Sequence, residues 1–143
     1  QAYLCWITDL TDGDQIHVEL FVYDESPSLS PTGRAWGHYT DSVDPLSYAG
    51  SPGIGSDYSA GLGWDMVEYD LVYDTELGDH DGWMVEGRIY SYPSTADPAH
   101  TDIWFDYLTV SITSPTWCGT INFPCDFNPV EATSWSAIKA MYR

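Results

Sequence analysis

The stretch Gln15-Ile16-His17-Val18-Glu19-Leu20-Phe21-Val22-Tyr23 decides the fold class of this chain. Ile16, Val18, Leu20 and Val22 face one way, and His17, Glu19 and Phe21 face the other. A two-residue period belongs to a strand with one side on a core and one side wet. The same period recurs downstream. Residues 66–73 direct Val67, Tyr69, Leu71 and Tyr73 inward and Glu68 and Asp70 outward. Residues 83–90 direct Trp83, Val85 and Ile89 inward and Glu86 and Arg88 outward. Residues 103–113 are longer and less regular, with Leu108, Val110 and Ile112 on one face. Residues 2–8 are apolar on both faces, Leu4 and Trp6 against Tyr3, Cys5 and Ile7, so this strand is central or covered on both sides. Shorter strands are expected over 35–39 and 117–123.

Turn residues separate these runs. Asp12-Gly13 marks a hairpin-like connection over 9–14, and 77–82 and 92–98 join later runs. Five long strands with several short ones read as an all-β fold. The expected form is a two-layer antiparallel β-sandwich of immunoglobulin-like architecture, one domain over 1–143. The Cys…Trp…Cys spacing of a true immunoglobulin domain is missing. The chain's end changes character. Asn128 reads as an N-cap, Pro129 as the first helical residue and Glu131 as the third. Trp135, Ile138 and Met141 follow at helical spacing, and Lys139 and Arg143 sit where a helix dipole favours cations. A short C-terminal helix is therefore expected over 129–142. Residues 40–64 form a long Gly/Pro-rich connection, a length usually found in functional loops.

Composition narrows the function classes. The chain carries 22 Asp and Glu against four basic residues, Arg34, Arg88, Lys139 and Arg143, for a formal charge of −18. Such a surface repels nucleic acid and anionic lipid, whose binding rests on Lys and Arg. Seven Trp, eleven Tyr and four Phe argue against disorder, because disordered acidic chains are poor in aromatics. No apolar run has membrane-spanning length. A start at Gln1 that runs directly into a strand, with lysine nearly absent, reads as a secreted, extracellular or cell-surface chain after signal cleavage. Of the three cysteines, Cys118 and Cys125 bracket a short loop that a disulfide can close, the favoured pairing, and a bridge from Cys5 to either of them, joining the two ends of the chain, is the alternative.

Four constellations carry candidate chemistry. Asp74, Glu76, Asp79 and Asp81 cluster in one turn, and Asp9, Asp12 and Asp14 in another. Calcium takes six to eight oxygens at flexible spacing, which such turns can supply, although Asp also initiates turns for its own backbone reasons. No other cofactor is implied. Trp36, Tyr39, Tyr48, Tyr58 and Trp64 can form a platform for sugar rings, since the core cannot hold every aromatic. Glu68 and Glu86 are the carboxylate pair that hydrolysis would need, but ordinary cross-strand pairing explains them equally. No GxSxG motif supports a nucleophile, and no enzyme is expected. Finally, the strand containing Leu4, Cys5, Trp6 and Ile7 can complete a neighbour's sheet. The favoured reading is a non-enzymatic structural or adhesive subunit of an extracellular assembly such as a filament, a homopolymer joined by N-terminal strand donation. The alternative is a carbohydrate-binding module.

Overall fold

The computed structural model describes residues 1–24, 31–77, 80–90 and 103–123. Seven strands run in chain order: β1 (Ala2–Ile7), β2 (Gln15–Asp24), β3 (Thr32–Thr40), β4 (Gly63–Val72), β5 (Gly82–Tyr90), β6 (Ile103–Thr113) and β7 (Ile121–Asn122). A 3₁₀ turn covers Thr75–Leu77. The strands form a four-stranded sheet, β3-β5-β1-β7, and a three-stranded sheet, β4-β2-β6, antiparallel throughout. The all-β, sandwich-like arrangement follows the expected alternation. The expected helix over 129–142 lies outside the described residues. Among the described residues no helix is long and apolar enough to cross a membrane.

Odd-numbered strands occupy one sheet and even-numbered strands the other, so no two consecutive strands pair. This corrects two expectations. Residues 9–14 and the connection from β4 to β5 are crossovers between sheets, not hairpins. The immunoglobulin-like arrangement includes sheet neighbours that are consecutive in sequence, and this chain has none among its described strands.

One core lies between the sheets. Ile16, Val18, Leu20, Val22, Val67, Tyr69, Leu71 and Tyr73 face Cys5, Ile7, Ala35, Tyr39, Trp83 and Val85. Its aromatics bring polar atoms that are partnered inside. Trp83 Nε1 donates to the Tyr69 hydroxyl at 3.0 Å, and the Tyr73 hydroxyl donates to Gly82 O at 3.1 Å. Such pairing is what makes buried Tyr and Trp affordable. Burial pushes the Tyr69 and Tyr73 hydroxyls well above their ordinary pKa.

β3 is longer than its short apolar stretch suggests, because close packing replaces side-chain patterning. A Cβ at Gly37 would sit 2.3 Å from the Trp83 indole, so only glycine admits that ring. Residues 49–59 then return along the outer edge of β3. Tyr39 N and Ala49 N exchange bonds with Gly50 O and Tyr39 O, and Ser56 N and Ser59 N donate to Ala35 O and Gly33 O. Ser56 and Ser59 hydroxyls accept from the amides of Ala35 and Gly33, each at 3.0 Å. The long connection is thus a cover for an edge that would otherwise be open.

β1 is an internal strand, paired along its length with β5 and through Trp6 and Ile7 with β7. A bulge between Tyr3 and Cys5 shifts its register. Leu4 therefore packs against the core with Cys5 and Ile7, whereas simple alternation places it with Trp6.

Candidate functional site

The outer face of the three-stranded sheet gathers side chains into rows. β2 is its middle strand, so its register with β4 and β6 decides which residues meet. Tyr23 lies between Trp64 and Trp104, Phe21 between Met66 and Asp106, Glu19 between Glu68 and Thr109, and His17 between Asp70 and Ser111. One end of the face is aromatic and the other acidic.

The aromatic end depends on a bulge in β6. Glu19 pairs with Thr109, yet Phe21 pairs with Asp106, so Tyr107 and Leu108 both stand opposite Leu20. Leu108 turns into the core and Tyr107 turns out, 77 % exposed. Tyr107 takes φ 46°, a left-handed conformation that is unusual for an aromatic residue. The Asp106 carboxylate accepts the Tyr107 amide proton at 2.7 Å and holds the bulge. The Tyr107 ring meets Phe21 edge-on at 6.2 Å, and Tyr23 meets Trp64 at 5.2 Å. Trp64 is 54 % exposed, and Met66 and Phe21 are also open to solvent.

At the acidic end, His17 Nδ1 lies 2.9 Å from Asp70 Oδ1 and Nε2 lies 3.4 Å from Glu19 Oε1. The hydrogen bond to Asp70, and then that to Glu19, raise the imidazole pKa above its ordinary value. Ligand atoms of His17, Glu19 and Glu68 all lie within 4.8 Å of one another.

The outer face of the four-stranded sheet differs in kind. The Arg34 guanidinium stands 4.0 Å from the Trp36 ring centre and 4.8 and 4.9 Å from those of Tyr58 and Tyr90. It also donates to the Tyr90 hydroxyl at 3.0 Å. Glu86 is fully buried, accepting from Arg88 Nε at 2.9 Å and from His38 Nδ1. Burial opposes its charge, but hydrogen bonds from His38 and Arg88 more than offset this and hold the carboxyl below its ordinary range. Tyr48, 68 % exposed, lies over His38 with ring centres 5.1 Å apart. This packed network fastens β3 to β5.

The expected sites are redistributed accordingly. Of the five aromatics expected to form one platform, Tyr39 is a core residue at 1 % exposure, and Trp36, Tyr48 and Tyr58 belong with the four-stranded sheet. Trp64 alone lies on the three-stranded sheet's outer face. Its companions there, Phe21, Tyr23, Met66, Trp104 and Tyr107, are not singled out by the sequence. The alternation of β2 carries a signal for Phe21; nothing local signals the bulge at Tyr107. Glu68 and Glu86 lie on the outer faces of different sheets and share no site.

The two acidic turns do come together. Asp12 accepts from Thr75 N at 2.5 Å, and hydrogen bonds from Thr75 hold its carboxyl below the ordinary range. Asp74 accepts from Glu76 N, Asp81 from Ser42 N and Asp14 from Thr11 N. These described carboxylates serve backbone amides; Asp79 lies outside the described residues. Cys5 is a buried free thiol pushed up to about 12 by burial. Cys118 is exposed and free; Cys125, the other half of the expected bridge, lies outside the described residues. Comparison of the chain with protein-family models, with curated proteins and with solved structures finds no match.

Proposed function

We propose that this protein is a secreted, non-enzymatic binding domain whose ligand, a carbohydrate, docks on the outer face of the three-stranded sheet. The observation that carries this reading is the exposure of Trp64 and Tyr107 on a sheet face that also holds Glu19, Glu68 and Asp70. Aromatic faces carry negative potential and attract the C–H faces of sugar rings. Carboxylates and the Thr109 and Ser111 hydroxyls on the same face suit sugar hydroxyls. An apolar protein partner fits less well, since docking it would strip water from the carboxylates of this face, which is costly.

The test is retention of the full chain on a panel of immobilised polysaccharides. Trp64→Ala and Tyr107→Gly should each weaken binding about tenfold, roughly 1.4 kcal/mol. Tyr107→Gly should also stabilise the domain by about 1 kcal/mol in denaturant, because glycine relieves the positive φ. A Tyr107 that served only packing would lose stability instead. Retention on no polysaccharide, or equal retention of both variants, would remove the reading.

A second reading, an assembly subunit joined by strand donation, draws on the position of β1. It fills a slot between β5 and β7 and buries Cys5 and Ile7 completely. An identical strand from a neighbour would fit the same slot, and head-to-tail exchange yields a filament. Deleting residues 1–8 should then leave an assembly-incompetent chain that the free peptide restabilises. A monomer by light scattering at high concentration of the full chain would count against it.

A further inference from the structure

We infer that a divalent cation of the zinc class binds His17, Glu19 and Glu68 at the acidic end of the three-stranded sheet's outer face. The inference goes beyond the sugar-binding reading and does not depend on it. It starts from register: Glu19 and Glu68 are direct cross-strand partners, as are His17 and Asp70. Like charges in directly opposed positions repel, and a sheet face offers them little freedom to separate.

The imidazole supplies an independent observation. Both of its nitrogens face carboxylate oxygens, Asp70 at 2.9 Å from Nδ1 and Glu19 at 3.4 Å from Nε2. A neutral ring has one N–H. Placed on Nδ1, that proton bonds Asp70 and leaves the Nε2 lone pair aimed at the Glu19 side. A carboxylate that fixes the tautomer while the other nitrogen binds metal is the usual support of a metal-ligating histidine. Asp70 is thus a positioning residue, and the ligands are Nε2 and one oxygen from each glutamate; a ring nitrogen of His17 and an oxygen of each glutamate lie within 4.8 Å of one another, and Nε2 is 3.4 Å from Glu19 Oε1.

Charge points the same way. With the ring neutral, as ligation through Nε2 requires, the three carboxylates leave these four residues at −3, which a divalent cation would bring to −1. The whole chain, at −18, concentrates cations around it. A mixed nitrogen and oxygen donor set suits zinc and its neighbours, whereas calcium takes six to eight oxygens. The remaining coordination positions face solvent.

The competing arrangement is an imidazolium bridging Asp70 and Glu19, with no metal. Titration of the metal-free full chain with zinc chloride at neutral pH separates the two, followed by calorimetry and thermal unfolding. One saturable equivalent is expected, with a melting temperature that climbs with zinc concentration. His17→Gln and Glu68→Gln should each weaken binding at least about tenfold. Asp70→Asn, which keeps an acceptor for Nδ1–H, should weaken it less. Excess calcium should not displace the zinc. Absence of saturable binding overturns the site, as does equal zinc binding by the wild type and His17→Gln. Displacement by calcium overturns the cation class. All three variants lie on the sheet surface, and unchanged circular dichroism before titration verifies that they fold.

Discussion

Glu86 is the residue on which the four-stranded sheet's outer face turns. A buried carboxylate is tolerable only when its charge is met, and Arg88 and His38 meet it from β5 and β3. Glu86→Ala would leave a partly buried guanidinium and a buried imidazole without their acceptor. Removing one member of such a cluster costs about 3–5 kcal/mol, and denaturant unfolding at pH 7 should read a loss of that order. The pH dependence has a definite sign. The folded carboxyl sits below its ordinary value of 4.5, so its contribution is present above that value and fades as pH falls through the lower folded value. The gap between wild type and Glu86→Ala should therefore narrow in that acid range. A constant gap from pH 7 to pH 3 would show that the lost stability is packing alone. Alternation correctly turns Glu86 away from the core. Its burial is not legible in that pattern, because Trp36 and His38 reach this face from another strand and Tyr48 from a connection.

Among the elements, β3 depends most on a segment that is not a strand. Its outer edge would present open amides and carbonyls, and residues 49–59 occupy them through backbone pairs and two serines. Ser59 accepts from Gly33 N and exchanges a hydrogen bond with the Thr32 hydroxyl, both at 3.0 Å. Ser59→Ala leaves the Gly33 amide buried without that acceptor, at a cost of about 1–3 kcal/mol. It should also loosen the cover, so concentration-dependent association by light scattering should accompany the drop in melting temperature. A monomer as stable as the wild type would mean that the backbone bonds suffice. The Gly/Pro content of 40–64 marks a long connection in the sequence. That the connection runs as an edge guard is decided by where β3 ends up.

For the molecule as a whole, the alternation of strands between sheets governs how it folds. Among the described strands, every pair joins segments separated by at least one strand of the other sheet, so none of these pairings forms locally. Loop-closure entropy must be met before any ladder forms, and such topologies fold on the order of milliseconds to seconds. Stopped-flow refolding followed by tryptophan fluorescence should find this slow regime. Refolding in microseconds would be incompatible with the topology.

The two-residue period along β2, β4 and β6 is a local property, set by the pleat of each strand. It places Ile16, Val18, Leu20, Val67, Leu71, Leu108 and Val110 correctly toward the core before any partner is known. Composition is equally local, and it alone sets the formal charge of −18. Pairing is different in kind. The Asp12-Gly13 signal is the same whether the chain turns back into a hairpin or crosses to the other sheet, and the distant partner makes the choice. The bulge at Tyr107 arises from register against β2 and has no glycine to announce it. Ile89 has the parity of a core residue yet is 44 % exposed at the end of β5. The joining of Trp64 with Phe21 and Tyr107, and of His17 with Glu68, belongs to the tertiary structure, because a sheet face is assembled from strands whose order the chain's local patterns do not encode.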